Sequence, residues 1–268
     1  THCVAVPQIA ATLQAALDDW AACAPALRQV SDDLNAGRST AALPFDAARC
    51  AAPLPRAHHW VDGSAYVNHV ELVRKARGAD MPPSFWTDPL VYQGGSDDLL
   101  GACDGARFAS EDHGIDLEAE IAVITDDVPM QTPAARAADH IRLITLVNDW
   151  SLRRIAPVEM KTGFGWVQAK PACSLAPIAV TPDELGPAWH DARVHLRLEV
   201  DWNGQRFGAA HGGAMAFGFD ELVAHAAYSR QLVAGTVIGS GTVSNSDYRS
   251  VGSSCIAERR AIETLDTG

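Results

Sequence analysis

The 268-residue chain reads as an α+β protein, mainly β, and three observations predict it. Glu118 to Ile124 and Ile141 to Val147 have the β-branched, alternating composition of strands. Val194 to Trp202 (VHLRLEVDW) runs into Asn203-Gly204, the strongest hairpin signal in the chain, with Gln205-Arg206-Phe207 returning. The helical stretches do not alternate strictly with strands, which excludes a doubly wound parallel sheet.

In chain order, residues 8 to 35 form a small helical region. Ile9, Leu13, Leu17 and Trp20 recur at helical spacing around Gln14, Asp18 and Asp19. Pro25 is expected to open a second helix carrying Leu27 and Val30, ending near Asn35-Ala36-Gly37. Residues 38 to 60, with Pro44, Pro53 and Pro55, read as a linker. From Trp60 onward strands and loops dominate until one clear helix, with Asp220 as its N-cap, ELVAHAAYSRQLVA as its body and Gly235 as its stop. The expected division is an N-terminal region, 1–58, and a main domain, 59–268, with no internal repeat.

Composition narrows the functional classes. Apolar residues make up 47% and charged ones 20%, enough for a substantial core. Lys and Arg number 21 against 33 Asp and Glu, a formal charge of −12. That surface repels phosphate backbones and anionic lipid, and the densest basic stretch is only Arg74, Lys75 and Arg77, so neither nucleic acid nor membrane is an expected partner. No run of 18 apolar residues occurs. The six cysteines, at 3, 23, 50, 103, 173 and 255, form no CxxC and read as buried thiols of a reducing, cytoplasmic compartment.

Four segments carry possible chemistry. As a strand, Asp116-Leu117-Glu118-Ala119-Glu120-Ile121-Ala122-Val123 puts Asp116, Glu118 and Glu120 on one face, with neighbouring carboxylates about 7 Å apart. Beside a core they repel one another unless a cation balances them, and oxygen ligands suit Mg²⁺, Ca²⁺ or Mn²⁺. The competing reading is the solvated outer face of an antiparallel strand. Asn148-Asp149-Trp150-Ser151-Leu152-Arg153 ends an apolar strand, where ligands and catalytic groups often sit but where, taken alone, a simple turn is the favoured explanation. Asp62-Gly63-Ser64-Ala65-Tyr66-Val67-Asn68-His69 joins an Asp to a His that by itself reads as structural. The glycine-containing loops at 239–245 (GSGTVSN) and 164–171 (FGWVQAKP, with Lys170) allow backbone amides and a lysine to approach an anion. GxGxxG fails at Gln168 and Ser244, GxSxG fails at Asp98, and HExxH and the P-loop motif are absent, so those nucleotide, serine-hydrolase and zincin chemistries are unsupported.

In this order, DGSAYVNH, MPPSFWTDPLVYQGG, DLEAEIAVI, VNDWSLR, the Lys170 segment and GSGTVSN resemble the fumarylacetoacetate hydrolase family, from about Trp60 to Glu263. The resemblance implies a mixed β-sandwich roll with flanking helices, a small helical N-terminal extension and a homodimer. It places metal carboxylates on Asp62, Glu118, Glu120 and Asp149, for Mg²⁺ or alternatively Ca²⁺ or Mn²⁺. It places a catalytic histidine on His69, a glutamate orienting it on Glu258, a lysine on Lys170 and an oxyanion-stabilising arginine on Arg153. Substrate contacts fall on Arg77, Tyr92 and Thr242. Ser64, Ala156 and Met160 depart from the residues of the fumarylacetoacetate-cleaving members, which bears on the substrate rather than on the metal chemistry. The stop at Gly268, short of the family's further strand-rich segment, is read as an incomplete C-terminus.

The reaction that the resemblance implies is hydrolysis of a carbon–carbon bond in a β-diketo acid, in the breakdown of tyrosine or other aromatic compounds. Within the family the alternatives are acylpyruvate or fumarylpyruvate hydrolysis, oxaloacetate decarboxylation and hydration or isomerisation of ring-cleavage products. A non-catalytic cation-binding protein would keep the four carboxylates without His69, Lys170 and Arg153.

Overall fold

The computed structural model describes residues 2–76 and 78–267. Strand β1 (His2–Cys3) precedes α1 (Leu13–Asp18), whose N-terminus is capped by Thr12, its hydroxyl accepting from the Ala15 amide at 3.1 Å. The helical pattern then breaks at Asp19 (φ −136°, ψ 53°), and α2 (Trp20–Asn35) follows with Pro25 inside it. Pro25 therefore does not open the second helix. A proline forgoes one amide bond to the preceding turn, and α2 continues to Asn35 before Gly37 (φ 67°) ends it. The expected linker is also more than a linker. β2 (Leu43–Pro44) pairs antiparallel with β1, and Ala52, Leu54 and Ala57 are buried.

The main body follows as β3 (His59–Gly63), α3 (Val67–Ala76), β4 (Val91–Gly94), β5 (Ile115–Asp116) and β6 (Ala119–Thr125). Then come α4 (Ala134–Ala137), β7 (Ile141–Asn148), β8 (Ser151–Leu152), α5 (Ala156–Met160), β9 (Ser174–Leu175), β10 (Trp189–His190) and β11 (Arg193–Val194). The expected hairpin is β12 (Arg197–Trp202) and β13 (Gln205–His211), and its turn residues Asn203 (φ 52°) and Gly204 (φ 74°) are both left-handed. That geometry matches the twist of the flanking strands.

α6 (Phe219–Ala226) begins two residues earlier than expected and ends well short of its pattern. It is capped at Gly218, whose amide donates to the Glu221 carboxylate at 2.8 Å, so Asp220 lies inside its first turn. It stops at Ala226 because Leu232 is drawn into a bridge with Val128, exchanging backbone bonds of 2.8 and 3.0 Å. β14 (Thr236–Gly239), α7 (Tyr248–Val251) and α8 (Ile256–Thr267) complete the described chain.

Six strands form one curled sheet in the order β4-β3-β14-β6-β7-β9, parallel only between β14 and β3. Apolar clusters cover both of its faces. Ile121, Val123, Ile238, Phe219 and Leu222 lie in one; Ala122, Ile124, Val237, Leu143 and Trp60 lie in the other, together with Leu17 and Leu54 of the N-terminal region. The mainly β architecture with flanking helices is as the sequence predicts. The face of β6 that carries Glu120 continues through Ala122 and Ile124 into a core, not into solvent.

A candidate metal and catalytic centre

Strands β3, β6 and β7, with β14 between the first two, bring the carboxylates together. In the sheet, Asp62 of β3 is in register with Gly239 of β14 on one side and Tyr92 of β4 on the other. Glu120 enters from β6, and Asp149 follows the end of β7, where its amide donates to the Glu118 carbonyl at 2.9 Å. Oxygens of Asp62, Glu120 and Asp149 lie within 4.8 Å of one another. All three residues are buried, with Asp149 0% exposed, which excludes the solvated-face reading of the strand.

The glycine of β14 makes this convergence possible. A Cβ on Gly239 would collide with the Asp62 carboxylate, stand 2.5 Å from the Trp60 ring and come within 3.1 Å of Glu120 Oε2. At Gly241 (φ 77°) the turn aims an amide at Asp62 Oδ1, 2.9 Å away. At Gly239 and Gly241 the GSGTVSN loop thus meets the Asp62 carboxylate with backbone alone.

Charge compensation within this cluster is uneven. Both oxygens of Glu120 are buried without a hydrogen-bond partner among the described residues. Burial, with Asp62 and Asp149 beside it, holds its carboxyl well above the usual carboxylate range. Burial, and then Asp149, pushes Asp62 up to about 8. Buried carboxylates lacking partners are what a hard divalent cation compensates. The donor set fits Mg²⁺, Ca²⁺ or Mn²⁺; Asp62, Glu120 and Asp149 would hold the ion.

Glu118 is satisfied differently. It accepts from Arg153 Nη2 (2.5 Å) and Thr242 Oγ1 (3.0 Å) on Oε1, and from Lys170 Nζ (2.6 Å) and Ser151 Oγ (2.8 Å) on Oε2. Burial alone would raise its pKa, yet Arg153 and Lys170 hold it well below the usual range. Lys170 also reaches Asp149 Oδ2 at 2.6 Å. Burial opposes its charge, but Asp149 and Glu118 outweigh that and keep the ammonium protonated. Glu118 thus stands at the edge of the acidic triad, linked to it through Lys170.

Next to these groups, His69 Nδ1 lies 2.8 Å from Glu258 Oε2, with Glu258 completely buried. The pair joins α3 to α8. Asp116 fixes the start of α8 by accepting from the amides of Ile256 (2.7 Å) and Ala257 (3.0 Å), and also accepts from Arg153 Nε at 2.7 Å. Asp116 was expected on the same strand face as Glu118 and Glu120. It instead belongs to β5, which pairs with β8, because the extended run is interrupted before β6 begins. The other end of the dyad is tied by Asn68, whose side-chain amide donates to Ser244 Oγ (2.7 Å) and the Asn245 carbonyl (2.8 Å).

Of the expected substrate contacts, Tyr92 donates to Asp149 Oδ2 at 2.6 Å and its ring meets Trp166 edge-on at 5.2 Å. Burial, then Asp149, raises the phenol well above its ordinary value. Thr242 is on Glu118, and Arg77 lies outside the described residues. The structure thus brings together Asp62, His69, Tyr92, Glu118, Glu120, Asp149, Arg153, Lys170, Thr242 and Glu258. It adds three groups that the sequence did not single out: Ser151 on Glu118, Cys173 with its thiol 3.0 Å from Asp149 Oδ1, and Cys255 beside Glu118 and His69. Ser151 stands two residues after Asp149 and Cys173 three after Lys170, so nearness to marked residues was the available signal.

A curled, mostly β sheet enclosing a buried carboxylate triad beside a His–Glu dyad defines an enzyme-type scaffold with a candidate divalent-cation site. The chain belongs to the fumarylacetoacetate hydrolase family, a group of hydrolases and isomerases. Residues 58–266 match the family profile described as fumarylacetoacetate (FAA) hydrolase C-terminal, and residues 1–56 match fumarylacetoacetase N-terminal domain 2. A Burkholderia ambifaria protein provisionally named a hydrolase is 29% identical over 158 residues, 58% of this chain and 53% of that protein. The chain thus spans about half the length of that relative. A solved structure of 5-carboxymethyl-2-hydroxymuconate delta-isomerase from Mycobacterium smegmatis is 25% identical, covering 72% of this chain and 70% of the other at a TM-score of 0.54. A Burkholderia cenocepacia structure provisionally named a fumarylpyruvate hydrolase shares the fold, with 18% identity, coverage of 78% and 80%, and a TM-score of 0.54. No helix among the described residues is long and apolar enough to cross a membrane.

Proposed function

We propose that the protein is a metal-dependent hydrolase that cleaves a carbon–carbon bond in a β-diketo acid. The observation that carries this reading is the His69–Glu258 pair, 2.8 Å apart, placed beside Glu118, which Lys170 links to Asp149 of the Asp62–Glu120–Asp149 cluster. When bound there, Mg²⁺ or Mn²⁺ would supply Lewis-acid polarisation of the substrate's adjacent oxygens.

The chain's own residues account for the rest. Glu258 fixes the imidazole so that its other nitrogen is available, and His69 takes a proton from water as the hydroxide adds to the distal carbonyl. Lys170 and Arg153 place positive charge beside the developing oxyanion. Asp116 and Glu118 hold the Arg153 guanidinium in a fixed orientation, so little reorganisation is needed. Collapse breaks the carbon–carbon bond: one fragment leaves as a carboxylate, and the other is a carbanion equivalent that receives a proton from Lys170 or water. Tyr92 and Thr242 line the substrate side, and Arg77 is assigned there from its position in the family resemblance. Residues 1–58 form a small region packed on the same core as the 59–268 domain, and a cytoplasmic homodimer is the proposed state.

A second reading is isomerisation of a ring-cleavage product. The 25% identity to the Mycobacterium smegmatis isomerase favours it, since isomerisation needs a held enolate but no attacking water. A panel of fumarylacetoacetate, fumarylpyruvate, acetylpyruvate and oxaloacetate tests the choice, run with Mg²⁺, with Mn²⁺ and with chelator, beside Glu118→Ala. Metal-dependent cleavage of one diketo acid, lost in the variant, supports the hydrolase. No cleavage of any of them by folded, metal-loaded protein refutes it.

A further inference from the structure

The loop that delivers Lys170 is thinly packed. After α5 the chain turns at Gly163 (φ 76°) and Gly165 (φ 99°), both left-handed, and leaves Phe164 and Val167 exposed. Among the described residues one side chain, Glu159 of α5, ties down its final stretch. The amides of Val167, Gln168 and Ala169, three in succession, all donate to that carboxylate. Gln168 reaches Oε1 at 2.9 Å, Ala169 reaches Oε2 at 2.9 Å, and Val167 is shared between both oxygens at 3.2 Å. Successive amides converging on one point form an anion-binding nest. These bonds, that of Gln168 foremost, hold the Glu159 carboxyl below its usual range. The Ala169 carbonyl in turn accepts from the Leu152 amide at 2.8 Å, so the residue before Lys170 is gripped on both sides.

We propose that Glu159 is a positioning residue: its carboxylate fixes the backbone of residues 166–169 and thereby aims Lys170 at Glu118 and Asp149, with Trp166 closed beside it. The Lys170 ammonium is 2.6 Å from Glu118 Oε2 and 2.6 Å from Asp149 Oδ2. It lies 5.0 Å from the centre of the Tyr92 ring and 5.5 Å from that of Trp166. A flexible four-carbon stem keeps its charge on two buried carboxylates only while its backbone stays in place. Displacing a catalytic group by about 1 Å can cost on the order of 10²-fold in rate. Glu159 bonds to none of the carboxylates of the site and not to His69; its hydrogen bonds to the rest of the site all pass through the 167–169 backbone. Its carboxylate supplies both acceptor oxygens that the three amides need. A glutamine would keep one of them and turn an N–H donor toward the other amides.

That Lys170 serves turnover rests on the reaction proposed above; the anchoring does not, and it is read without substrate. Amide hydrogen exchange of the full chain would be followed in the peptide spanning 161–170, for the wild type, Glu159→Gln and Glu159→Ala. The expected result is slow exchange at residues 167–169 that becomes at least about 10-fold faster in Glu159→Ala, with Glu159→Gln between the two. Acrylamide quenching of the Trp166 fluorescence, isolated by difference from Trp166→Phe, should rise in parallel. Unchanged exchange and quenching in Glu159→Ala overturn the proposal. In single-turnover cleavage of the diketo acid that the wild type accepts, with saturating Mg²⁺, Glu159→Ala should slow the reaction by about 10- to 100-fold while KM changes little. Acetate or formate, entering the vacated nest, should restore part of the rate. In a Lys170→Met background the same substitution should add less than about 2-fold, because both act through one ammonium. A full-sized further loss in that background, or an unchanged rate in Glu159→Ala, would show that Glu159 does not act through Lys170 and overturn the proposal. If the wild type cleaves no diketo acid, the hydrolase reading falls, and the exchange and quenching results alone decide whether Glu159 holds the loop.

Discussion

Stripping the cation should make this protein less stable as the solution becomes more alkaline, and the structure sets the size of the effect. Asp62 is pushed up to about 8 by burial and by Asp149, against an ordinary value of 3.8, and Glu120 is raised in the same sense. Between those two values the folded, cation-free protein keeps a proton that the unfolded chain has lost. The slope of unfolding free energy with pH is therefore negative, about −1.4 kcal/mol per pH unit for one retained proton. The stabilisation is complete below the unfolded value and lost as pH rises through the folded one. For a chain of this size one kcal/mol moves Tm by roughly 2–4 °C, so this group lowers Tm by about 3–6 °C per pH unit between pH 6 and 8. A divalent cation takes the proton's place, and its stabilisation should grow over the same interval. The assay is thermal unfolding of resin-stripped protein from pH 6 to 8.5, with and without Mg²⁺ or Mn²⁺, with Glu120→Gln as control. A cation-induced rise in Tm that is flat or shrinking with pH would refute compensation by the cation, as would an undiminished rise in the variant.

Three further outcomes are expected of the site. His69→Ala should lower kcat by about 10²- to 10⁴-fold with unchanged circular dichroism, and Glu258→Gln should fall in the same direction; near-normal turnover with Mg²⁺ would remove His69 as the base. Gly239→Ala places a methyl group against the Asp62 carboxylate and 2.5 Å from the Trp60 ring, and should cost about 1–3 kcal/mol in urea unfolding and abolish cation-dependent stabilisation. Asp116→Ala leaves Arg153 short of one of its two buried carboxylates and loosens the α8 N-terminus, with an expected loss of about 3–5 kcal/mol by the same assay; a change below about 1 kcal/mol would mean that Asp116 anchors nothing.

Much of the fold and the site was legible in the sequence, and the failures share a cause. β6, β7 and the β12–β13 hairpin follow from alternation and from Asn203-Gly204, signals that are local. The carboxylates were visible as groups placed against a core, and four metal positions, the base and its orienting glutamate were assigned through the family's ordered motifs. Distant contacts decided the rest. The ELVAHAAYSRQLVA helix pattern extends past Ala226, but pairing of Leu232 with Val128, far earlier in the chain, ends the helix. Pro25 marks a helix start in isolation, yet the break falls at Asp19 and α2 accommodates the proline. Asp116 reads as one more carboxylate of the strand. Its role at the start of α8 depends on residues 256 and 257, which no local pattern brings to it. Ser151, Cys173 and Cys255 carry no pattern of their own; only their distances to Glu118, Asp149 and His69 mark them.

Attack by water is tested most directly by single-turnover reaction of the metal-loaded protein with fumarylpyruvate, acetylpyruvate and fumarylacetoacetate in ¹⁸O-labelled water. Hydrolysis by water activated at His69 predicts one labelled oxygen in the new carboxylate of the cleaved acid, with the yield lost on chelation and in His69→Ala. Conversion of a substrate to an isomer of unchanged mass, with no cleaved acid formed, would contradict it.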